Sequence, residues 1–270
     1  MAALTDLTPT ASERLPDFDA PPVVEIVGSV QFIPLPRLVL RDMIDVGARF
    51  EGYQLNELQP QLHAIQELPP GEVASPPFPQ MFLGQQPQRA LYVTEDQRFI
   101  AQLQQDRIAI NERRTDPDRA PSSLHVWPQL DRLAHAVRDV LVRGEGFGPA
   151  NANVIELTYV NVVRDAPMDR VLRIISSDAG EPPYSNAEPP AVRFSFPIFE
   201  AERFRGRLHV EAGPGISDGT PVLQLQLTSR RLVEKGLPLA EVFDACHRDA
   251  VHAFVAVTEP DMHRLWRRTR

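Results

Sequence analysis

Residues 22–32 of the chain are PVVEIVGSVQF, and residues 154–160 are VIELTYV. In the first stretch, apolar side chains at alternate positions form one face, while the other face is mixed and includes Glu25 and Ser29. Such alternation is typical of a strand that buries one face. The second stretch matches the first, with Glu156 at the place of Glu25. The sequence therefore predicts the same kind of strand twice, once in each half of the chain.

Each of these strands is followed by shorter strands and then by a long helix. Short alternating runs separated by polar turns have the spacing of hairpins, and apolar residues at steps of three and four predict the helices. The predicted strands cover residues 90–94, 98–104 and 107–113 in the first half and 191–196, 207–211 and 221–227 in the second. The predicted helices cover 38–51, 122–141 and 239–257. The apolar stripe of the first helix consists of Leu40, Ile44, Gly47 and Phe50.

We predict an α+β protein made of two pseudo-repeated units, each an antiparallel sheet with a long helix packed across it. Residues 1–20 are polar and lack periodicity, which predicts a disordered lead. Residues 21–149 form the first sheet–helix unit and residues 150–270 the second, fused into one globular body. The QLQ tracts at 102–104 and 224–226 are expected at equivalent places in the two units.

The composition excludes several classes of function. The chain has 270 residues, with 28 Lys and Arg against 36 Asp and Glu, and a formal net charge of −8. This charge argues against nonspecific binding to nucleic acid or to an anionic membrane. No run approaches the roughly 20 apolar residues of a membrane helix, and the N-terminus lacks the pattern of a secretory signal. The single cysteine rules out an intramolecular disulfide. We therefore expect a cytoplasmic protein.

Several short motifs, taken in order, resemble those of a family of sporadically distributed, uncharacterised bacterial proteins of about this length. They are PPVVEIV at 21–27, IELTYVN at 155–161, GRLHV at 206–210, VLQLQLT at 222–228 and the ending at 254–266. The resemblance covers nearly the whole chain after residue 20. It implies no catalytic residue, because the family has no established activity. The patchy distribution implies an accessory bacterial system, in which the protein is a gene-cluster partner or has a defence or toxin-related role.

Glu25 and Glu156 are the candidate ligand-binding residues. In a duplicated fold, equivalent strands often lie near the pseudo-twofold axis, which would bring the two carboxylates together. Two close carboxylates repel, so the pKa of one rises and a general acid–base pair becomes possible. In the alternative interpretation, each carboxylate lies on the mixed face and pairs with an arginine or with solvent. The sequence leaves open whether the two residues are close in space.

No motif predicts a metal site or an activated nucleophile. Cys246, His247 and His252 lie close in sequence, but two histidines five residues apart do not share one face of a helix. Cys246 falls on the apolar stripe of its helix and is interpreted as a core residue. The glycines of GEGFG at 144–148 follow a helix and precede a strand, the wrong order for a phosphate loop, so we interpret them as a helix stop. We therefore assign no catalytic residue, no metal and no cofactor.

The C-terminus is a basic cluster with one aromatic residue: Arg264, Arg267, Arg268 and Arg270, with Trp266 between the first two. Such a cluster offers contacts to RNA or to an acidic partner. Four arginines make few phosphate contacts, and the rest of the chain is acidic. We therefore interpret the cluster as a solvated tail and expect no nucleic acid partner.

Two classes of function remain. The absence of a convergent catalytic set favours a non-catalytic protein-binding adaptor or partner subunit, which engages another protein through exposed sheet faces or edges. The alternative is a small-molecule-binding protein, or an enzyme, with a cleft between sheet and helix and with Glu25 or Glu156 as its polar anchor. A deep pocket at the glutamates would indicate the second class, and a flat apolar patch the first.

Overall fold

The computed structural model describes residues 15–72, 88–141, 151–173 and 191–269. These residues form nine strands and five helices. In chain order they are β1 (Val23–Phe32), α1 (Leu40–Arg49), β2 (Tyr53–Pro60), β3 (Gln88–Thr94), β4 (Phe99–Gln104), β5 (Arg107–Arg113), α2 (Ser123–Val140), β6 (Ala152–Val163), α3 (Met168–Val171), β7 (Val192–Glu200), β8 (Arg203–Ser217), β9 (Thr220–Leu232), α4 (Leu239–Val257) and α5 (Pro260–Leu265). None of the described helices is both long enough and apolar enough to span a membrane.

The strands form one antiparallel sheet with β1 and β6 side by side at its centre. The strand order is β2-β3-β4-β5-β1-β6-β9-β8-β7, and Val27 of β1 lies opposite Thr158 of β6. The last strand of each half stands next to the first, so β5 lies beside β1 and β9 lies beside β6. The protein therefore has an α+β fold, and β2 and β7 are the edges of its sheet.

The two long helices, α2 and α4, pack on one face of the sheet, which we call the helix face. Ile26 of β1 is buried on this face. Gly28 lies two positions further along, and a Cβ atom there would come within 2.7 Å of Val126 in α2 and 2.8 Å of Phe243 in α4. The absence of a side chain at Gly28 therefore lets both helices approach the centre of the sheet.

The buried side chains on the helix face form two hydrophobic clusters. The first joins β1 and its neighbours in the first half to α1, α2 and the start of α4, and it includes Tyr92, whose hydroxyl donates a 2.6 Å hydrogen bond to the carbonyl of Met43. The second joins β8 and β9 to the C-terminal half of α4 and to α5. Phe18, which precedes β1, packs edge-on against Phe254 of α4 in this second cluster. The start of the described chain is therefore anchored near its end.

The predicted disordered lead over residues 1–20 is corrected at its C-terminal end, and residues 1–14 lie outside the described residues. The amides of Asp19 and Ala20 donate hydrogen bonds to the carbonyls of Arg267 and Trp266, both at 3.2 Å. The partner of this polar segment is at the opposite end of the chain, so no local pattern in the sequence indicates it.

The opposite face of the sheet, which we call the open face, is crossed by an extended stretch of chain, the crossing segment (residues 61–68). The side-chain amide of Gln104 in β4 accepts a hydrogen bond from the amide of Leu62 and donates one to its carbonyl, both at 3.1 Å. Gln31 of β1 makes the same pair of contacts with Ile65, at 2.6 and 3.0 Å. The two glutamines therefore supply the backbone partners that an adjacent strand would otherwise provide.

The helix predicted over 38–51 is present as α1, but its buried face differs from the prediction. Of the residues expected on the buried stripe, Phe50 is buried as predicted, but Leu40 and Ile44 are 37 % and 50 % exposed. Met43 and Val46 are buried instead. Apolar residues occur on both sides of this helix, so periodicity alone does not select the side that packs against β2 and β3.

Three further expectations differ from the structure or fall outside it. Strand β2 and the crossing segment are polar in sequence, so hydrophobic alternation does not predict them. The QLQ tracts are not equivalent, because 102–104 lies in β4, which does not touch β1, whereas 224–226 lies in β9, next to β6. The six prolines between residues 68 and 87 predict a surface loop, of which the structure describes only residues 68–72. The GEGFG helix stop predicted at 144–148 lies wholly outside the described residues.

Candidate functional site

Glu25 and Glu156 lie on the open face of the sheet, on the side away from the long helices. Glu25 is opposite Val160, whereas Glu156 is opposite Ser29, which is four positions from Glu25 along β1. At a rise of about 3.4 Å per residue, the two glutamates are about 14 Å apart along the strands. The structure therefore does not bring the carboxylates together. It also corrects their expected role as anchors of a sheet–helix cleft, because they point away from the helices.

Each glutamate contacts an arginine on a neighbouring strand. Asn111 and Arg113 of β5 donate hydrogen bonds to Oε1 of Glu25, at 2.8 and 3.4 Å. Arg230 of β9 donates through Nε to Oε2 of Glu156, at 2.5 Å. This is the arrangement of the alternative interpretation, in which each carboxylate pairs with an arginine on the mixed face.

Arg230 also belongs to a buried ion cluster beneath the crossing segment. At its centre is Glu67, whose side chain is 3 % exposed. Oε1 of Glu67 lies 3.0 Å from Nε2 of His209 and 3.2 Å from Nη1 of Arg230, and Oε2 lies 3.3 Å from Nε of Arg207. Two guanidinium groups and an imidazole therefore surround the one carboxylate that the crossing segment brings to β8 and β9.

The contacts in this cluster keep Glu67 and Arg230 charged. Burial opposes the ionisation of Glu67, but hydrogen bonds and charge attraction from His209 and Arg230 outweigh it and hold the pKa of this carboxyl below its ordinary value. Burial also disfavours the charge on Arg230, but its contacts with Glu156 and Glu67 outweigh that effect and raise the pKa of the guanidinium. The ion cluster therefore holds the crossing segment against the second half of the sheet at neutral pH.

A cleft of about 540 Å³ lies on the helix face, between the start of α2, the middle of α4 and the segment that precedes β1. Its apolar lining comes from both hydrophobic clusters and includes Val23, Ile26, Leu227, Ala250, Val251 and Phe254. A volume of this size is typical of pockets that bind small molecules, and such pockets have mainly apolar walls with a few placed polar groups.

Three polar side chains meet in this cleft, each from a different element. They are Ser123 at the start of α2, Tyr159 on β6 and His247 on α4. The hydroxyl of Tyr159 lies 2.6 Å from Nδ1 of His247, and Ser123 contributes a further hydroxyl to the lining of the cleft. We call these three residues the polar cluster of the cleft.

Burial keeps the polar cluster uncharged. It lowers the pKa of His247, because the imidazolium form would lose its hydration, and it raises the pKa of Tyr159 for the corresponding reason. At neutral pH the phenol and the neutral imidazole therefore share one hydrogen bond between the hydroxyl and Nδ1, and each group keeps further capacity to hydrogen bond. The polar cluster can hydrogen bond to a molecule in the cleft without presenting it with a charge.

The start of α2, which forms one wall of the cleft, is held in place by Glu112 of β5. This carboxylate is fully buried. It accepts a 2.8 Å hydrogen bond from the amide of Ser122, lies 2.9 Å from Nδ1 of His125, and also accepts from Arg98. These contacts offset the cost of removing a charge from water. The position of Ser123 in the cleft therefore depends on a side chain of the sheet.

Cys246 is fully buried in the first hydrophobic cluster, as its position on the apolar stripe predicts. Burial raises the pKa of its thiol to about 12, so the sulfur is protonated at neutral pH and is a poor nucleophile. Over the described ranges, no group of three or more His, Cys, Asp or Glu side chains is placed to hold a metal ion.

The basic C-terminal cluster is part of the folded body, which corrects its interpretation as a solvated tail. The amide of Arg268 donates a 2.9 Å hydrogen bond to the carbonyl of His263, and the carbonyl of Arg267 accepts one from Asp19. The side chains of Arg264, Arg267 and Arg268 are exposed, that of Trp266 is buried, and that of Arg264 pairs with Asp261 at 2.6 Å. Arg270 lies outside the described residues.

The sequence does not single out the polar cluster of the cleft. Tyr159 is noted only as part of a strand, and His247 is considered only as a metal ligand. One signal is available in the sequence, because Tyr159 alternates with Leu157 on the apolar face of its strand and places a hydroxyl where a helix must pack. Its pairing with His247 depends on how α4 lies over β6, which no local pattern specifies.

Comparison with known proteins finds no family model that matches the chain and no match among curated proteins.

Proposed function

We propose that this protein binds a small, mainly apolar molecule that has one hydrogen-bonding head group. The observation that carries the proposal is the 540 Å³ cleft, whose apolar walls surround the polar cluster of Ser123, Tyr159 and His247. Apolar walls supply affinity through the burial of ligand surface, and the polar cluster fixes the orientation of the head group. Glu25 and Glu156 have no part in this site.

The same geometry favours binding over catalysis. Nδ1 of His247 is occupied by the Tyr159 hydroxyl, so the imidazole is held as a hydrogen-bonding group, and burial lowers its pKa, which makes it a weaker base. The nearby thiol of Cys246 is buried and protonated. Neither group is arranged as an activated nucleophile with its base.

A fluorescence titration with anilinonaphthalene sulfonate tests this proposal, with decanoic acid and decanol as competitors. Val251 lines the cleft, so Val251→Trp should fill part of it and weaken dye binding at least about tenfold. Asp244→Trp on the exposed side of the same helix is the matched control and should leave binding unchanged. Equal binding by the two variants would show that the dye does not enter the cleft, and the proposal would then fail.

A second candidate function is favoured by an exposed apolar strip on α1. Val39, Leu40 and Ile44 are 52 %, 37 % and 50 % exposed, and the last two lie one helical turn apart on the same side. Such a strip fits a protein partner better than a small molecule, because it is convex and unenclosed. We propose, as the alternative to ligand binding, a non-catalytic adaptor or partner subunit whose strip contacts another protein of an accessory bacterial system in the cytoplasm.

Affinity capture from the native host tests the adaptor proposal. The wild type should retain a defined protein partner that the double variant Leu40→Ser/Ile44→Ser loses. Ile216→Ser removes a more exposed apolar side chain from the β8–β9 hairpin and serves as the control. Retention of the same partner by the double variant would exclude the strip as its contact.

We also propose that the chain is a fused pair of related sheet–helix units. In support, the first strand of each half lies at the centre of the sheet, the last strand lies next to it, and the earlier strands follow outward in reverse order. A long helix closes each half. An experimental structure tests the proposal by superposition: β1, β3, β4, β5 and α2 should superpose on β6, β7, β8, β9 and α4 in that order. A different correspondence of strands would exclude it.

A further inference from the structure

A second, much smaller cavity lies on the open face of the sheet, close to Leu62 of the crossing segment. Its volume is about 60 Å³, and strands β1, β3, β4, β5 and β6 all contribute to it. Its polar lining residues are Ser29, Arg89, Gln102, Gln104, Arg107 and Glu156. One water molecule takes about 30 Å³ of liquid volume, so the cavity has room for one small polyatomic ion.

Three of these lining residues each carry a hydrogen-bond donor that has no partner among the described residues. These donors are the hydroxyl of Ser29, Nε of Arg89 and Nε of Arg107. Ser29 is 2 % exposed and Arg107 is 8 % exposed, so neither side chain reaches bulk water. A buried donor without an acceptor costs about 1–3 kcal/mol, and a structure that leaves three together indicates a missing acceptor.

The cavity is also positively charged. Arg107 donates hydrogen bonds to the side chain of Gln31, at 3.1 Å, and to the carbonyl of His63, at 2.8 Å. Arg89 donates to the side chains of Gln102 and Gln59. All four acceptors are neutral, and neither arginine forms an ion pair with a described carboxylate.

Glu156 is the one carboxylate in the lining, and its charge is already balanced by Arg230, 2.5 Å away. Burial lowers the pKa of Arg107 and outweighs the opposing attraction of Glu156 and Asp106. Burial together with the charge of Arg107 lowers the pKa of Arg89 and outweighs the attraction of Glu57. An anion in the cavity would relieve this repulsion.

We propose that this cavity binds a small oxyanion of the phosphate or carboxylate class. Such an ion accepts several hydrogen bonds at once and matches the three unpartnered donors, and its charge matches the two arginines. A cation would be repelled by both arginines. A neutral water could accept at most two of the three bonds and would leave the charge unbalanced.

The bound anion would also hold the crossing segment in place. Arg107 contacts the backbone of that segment at His63, and Leu62 lines the cavity. Occupancy should therefore protect residues 61–68 from proteolysis as well as stabilise the whole fold. This site is independent of the cleft on the helix face, and its outcome does not depend on the proposed function.

Thermal unfolding of the full chain at constant ionic strength tests the proposal, with chloride replaced stepwise by phosphate, sulfate or acetate. We expect a saturable rise in Tm with at least one of the three, as for a ligand that binds only the folded state. Saturation by phosphate or sulfate alone identifies a tetrahedral ion, and saturation by acetate alone identifies a carboxylate. Identical, non-saturating responses to all three would indicate a general salt effect and would overturn the proposal.

Ser29→Ala is the decisive variant, because it removes one donor and keeps the size of the side chain small. It should raise the Kd of the stabilising anion about tenfold or more, as expected for the loss of one hydrogen bond to an ion. Ser195→Ala removes a hydroxyl from an exposed position on β7 and should leave the Kd unchanged. An unchanged Kd in Ser29→Ala would also overturn the proposal.

Discussion

Glu67 and Arg230 are 163 residues apart in the sequence, and Nη1 of Arg230 lies 3.2 Å from Oε1 of Glu67. This contact joins the crossing segment, in the first half of the chain, to β9, the last strand of the second half. Arg230 also holds Glu156 of β6, so one guanidinium connects a loop and two strands. Ion pairs and hydrogen bonds therefore hold the chain on the open face of the sheet, as apolar packing holds it on the helix face.

Glu67→Gln should release the crossing segment from β8 and β9. The change leaves Arg207 and Arg230 with one fewer carboxylate partner in a buried site, so we expect a loss of about 2–4 kcal/mol in the free energy of unfolding. Urea denaturation measures the loss, and limited proteolysis should show new cleavage within residues 61–68. Glu72→Gln, at an exposed position just beyond this segment, is the control and should change neither.

Asp249 of α4 forms an ion pair with Arg231 of β9 and so binds the helix to the sheet. Nε and Nη2 of Arg231 donate to the two carboxylate oxygens of Asp249, at 2.7 and 2.8 Å, and Ser229 donates to the same carboxylate. Asp249→Asn leaves a buried guanidinium without its bidentate partner and should cost about 3–5 kcal/mol in chemical denaturation. Asp244→Asn on the exposed side of α4 should cost less than about 0.5 kcal/mol. Similar losses for both variants would contradict the pairing.

Gly28→Ala should force α2 and α4 away from the centre of the sheet. The added methyl group would lie 2.7 Å from a Val126 methyl and 2.8 Å from the Phe243 ring, closer than side chains pack. We expect a destabilisation of about 1–3 kcal/mol from overpacking. At Gly215 the same change meets only ordinary contacts, the nearest at 3.5 Å, and should be close to neutral. The melting temperatures of the two variants, each compared with that of the wild type, test this expectation.

Phe243 and Trp127 pack against each other with their ring centroids 5.1 Å apart, but they are buried to different extents. Phe243 is 2 % exposed, so Phe243→Ala should cost about 3–5 kcal/mol. Trp127 is only partly buried, and Trp127→Ala should cost less. If Trp127→Ala leaves the melting temperature within a degree of that of the wild type, then the ring does not contribute to the core.

The neutral state of His247 should make stability depend on pH. Burial lowers its pKa below the ordinary 6.5, so the unfolded chain takes up a proton at a higher pH than the folded chain does. The stabilisation that comes from keeping His247 neutral is fully present above pH 6.5. It is lost as the pH falls below that value, at no more than about 1.4 kcal/mol of unfolding free energy per pH unit.

Urea denaturation of the wild type and of His247→Gln at pH 7.5 and 5.5 isolates this contribution. The wild type should lose more stability than the variant between the two pH values, because glutamine does not titrate. His135→Gln, which removes an exposed histidine of α2, should lose as much as the wild type. Equal losses in the wild type and in His247→Gln would show that the imidazole is not held neutral.

The sequence by itself determines the elements that are periodic and apolar. The alternation around Ile26 and Leu157 specifies the two central strands, because one buried face at every second residue has no other regular solution. The stripes that end at Val137 and Val257 specify α2 and α4 within one or two residues, since an 18- or 19-residue amphipathic pattern is long enough to be unambiguous. Burial of Cys246 follows from the same pattern.

The tertiary structure alone decides the sites, because every one of them joins residues that are distant in sequence. The register of β1 on β6 separates Glu25 from Glu156, and no local pattern encodes a register between two strands so far apart. The packing of α4 over β6 creates the pair of Tyr159 and His247. The path of the polar crossing segment buries Glu67, and packing over the same face leaves the hydroxyl of Ser29 and Nε of Arg107 without a partner among the described residues. Polar residues have no required face in isolation, so their burial is fixed only when the chain closes over them.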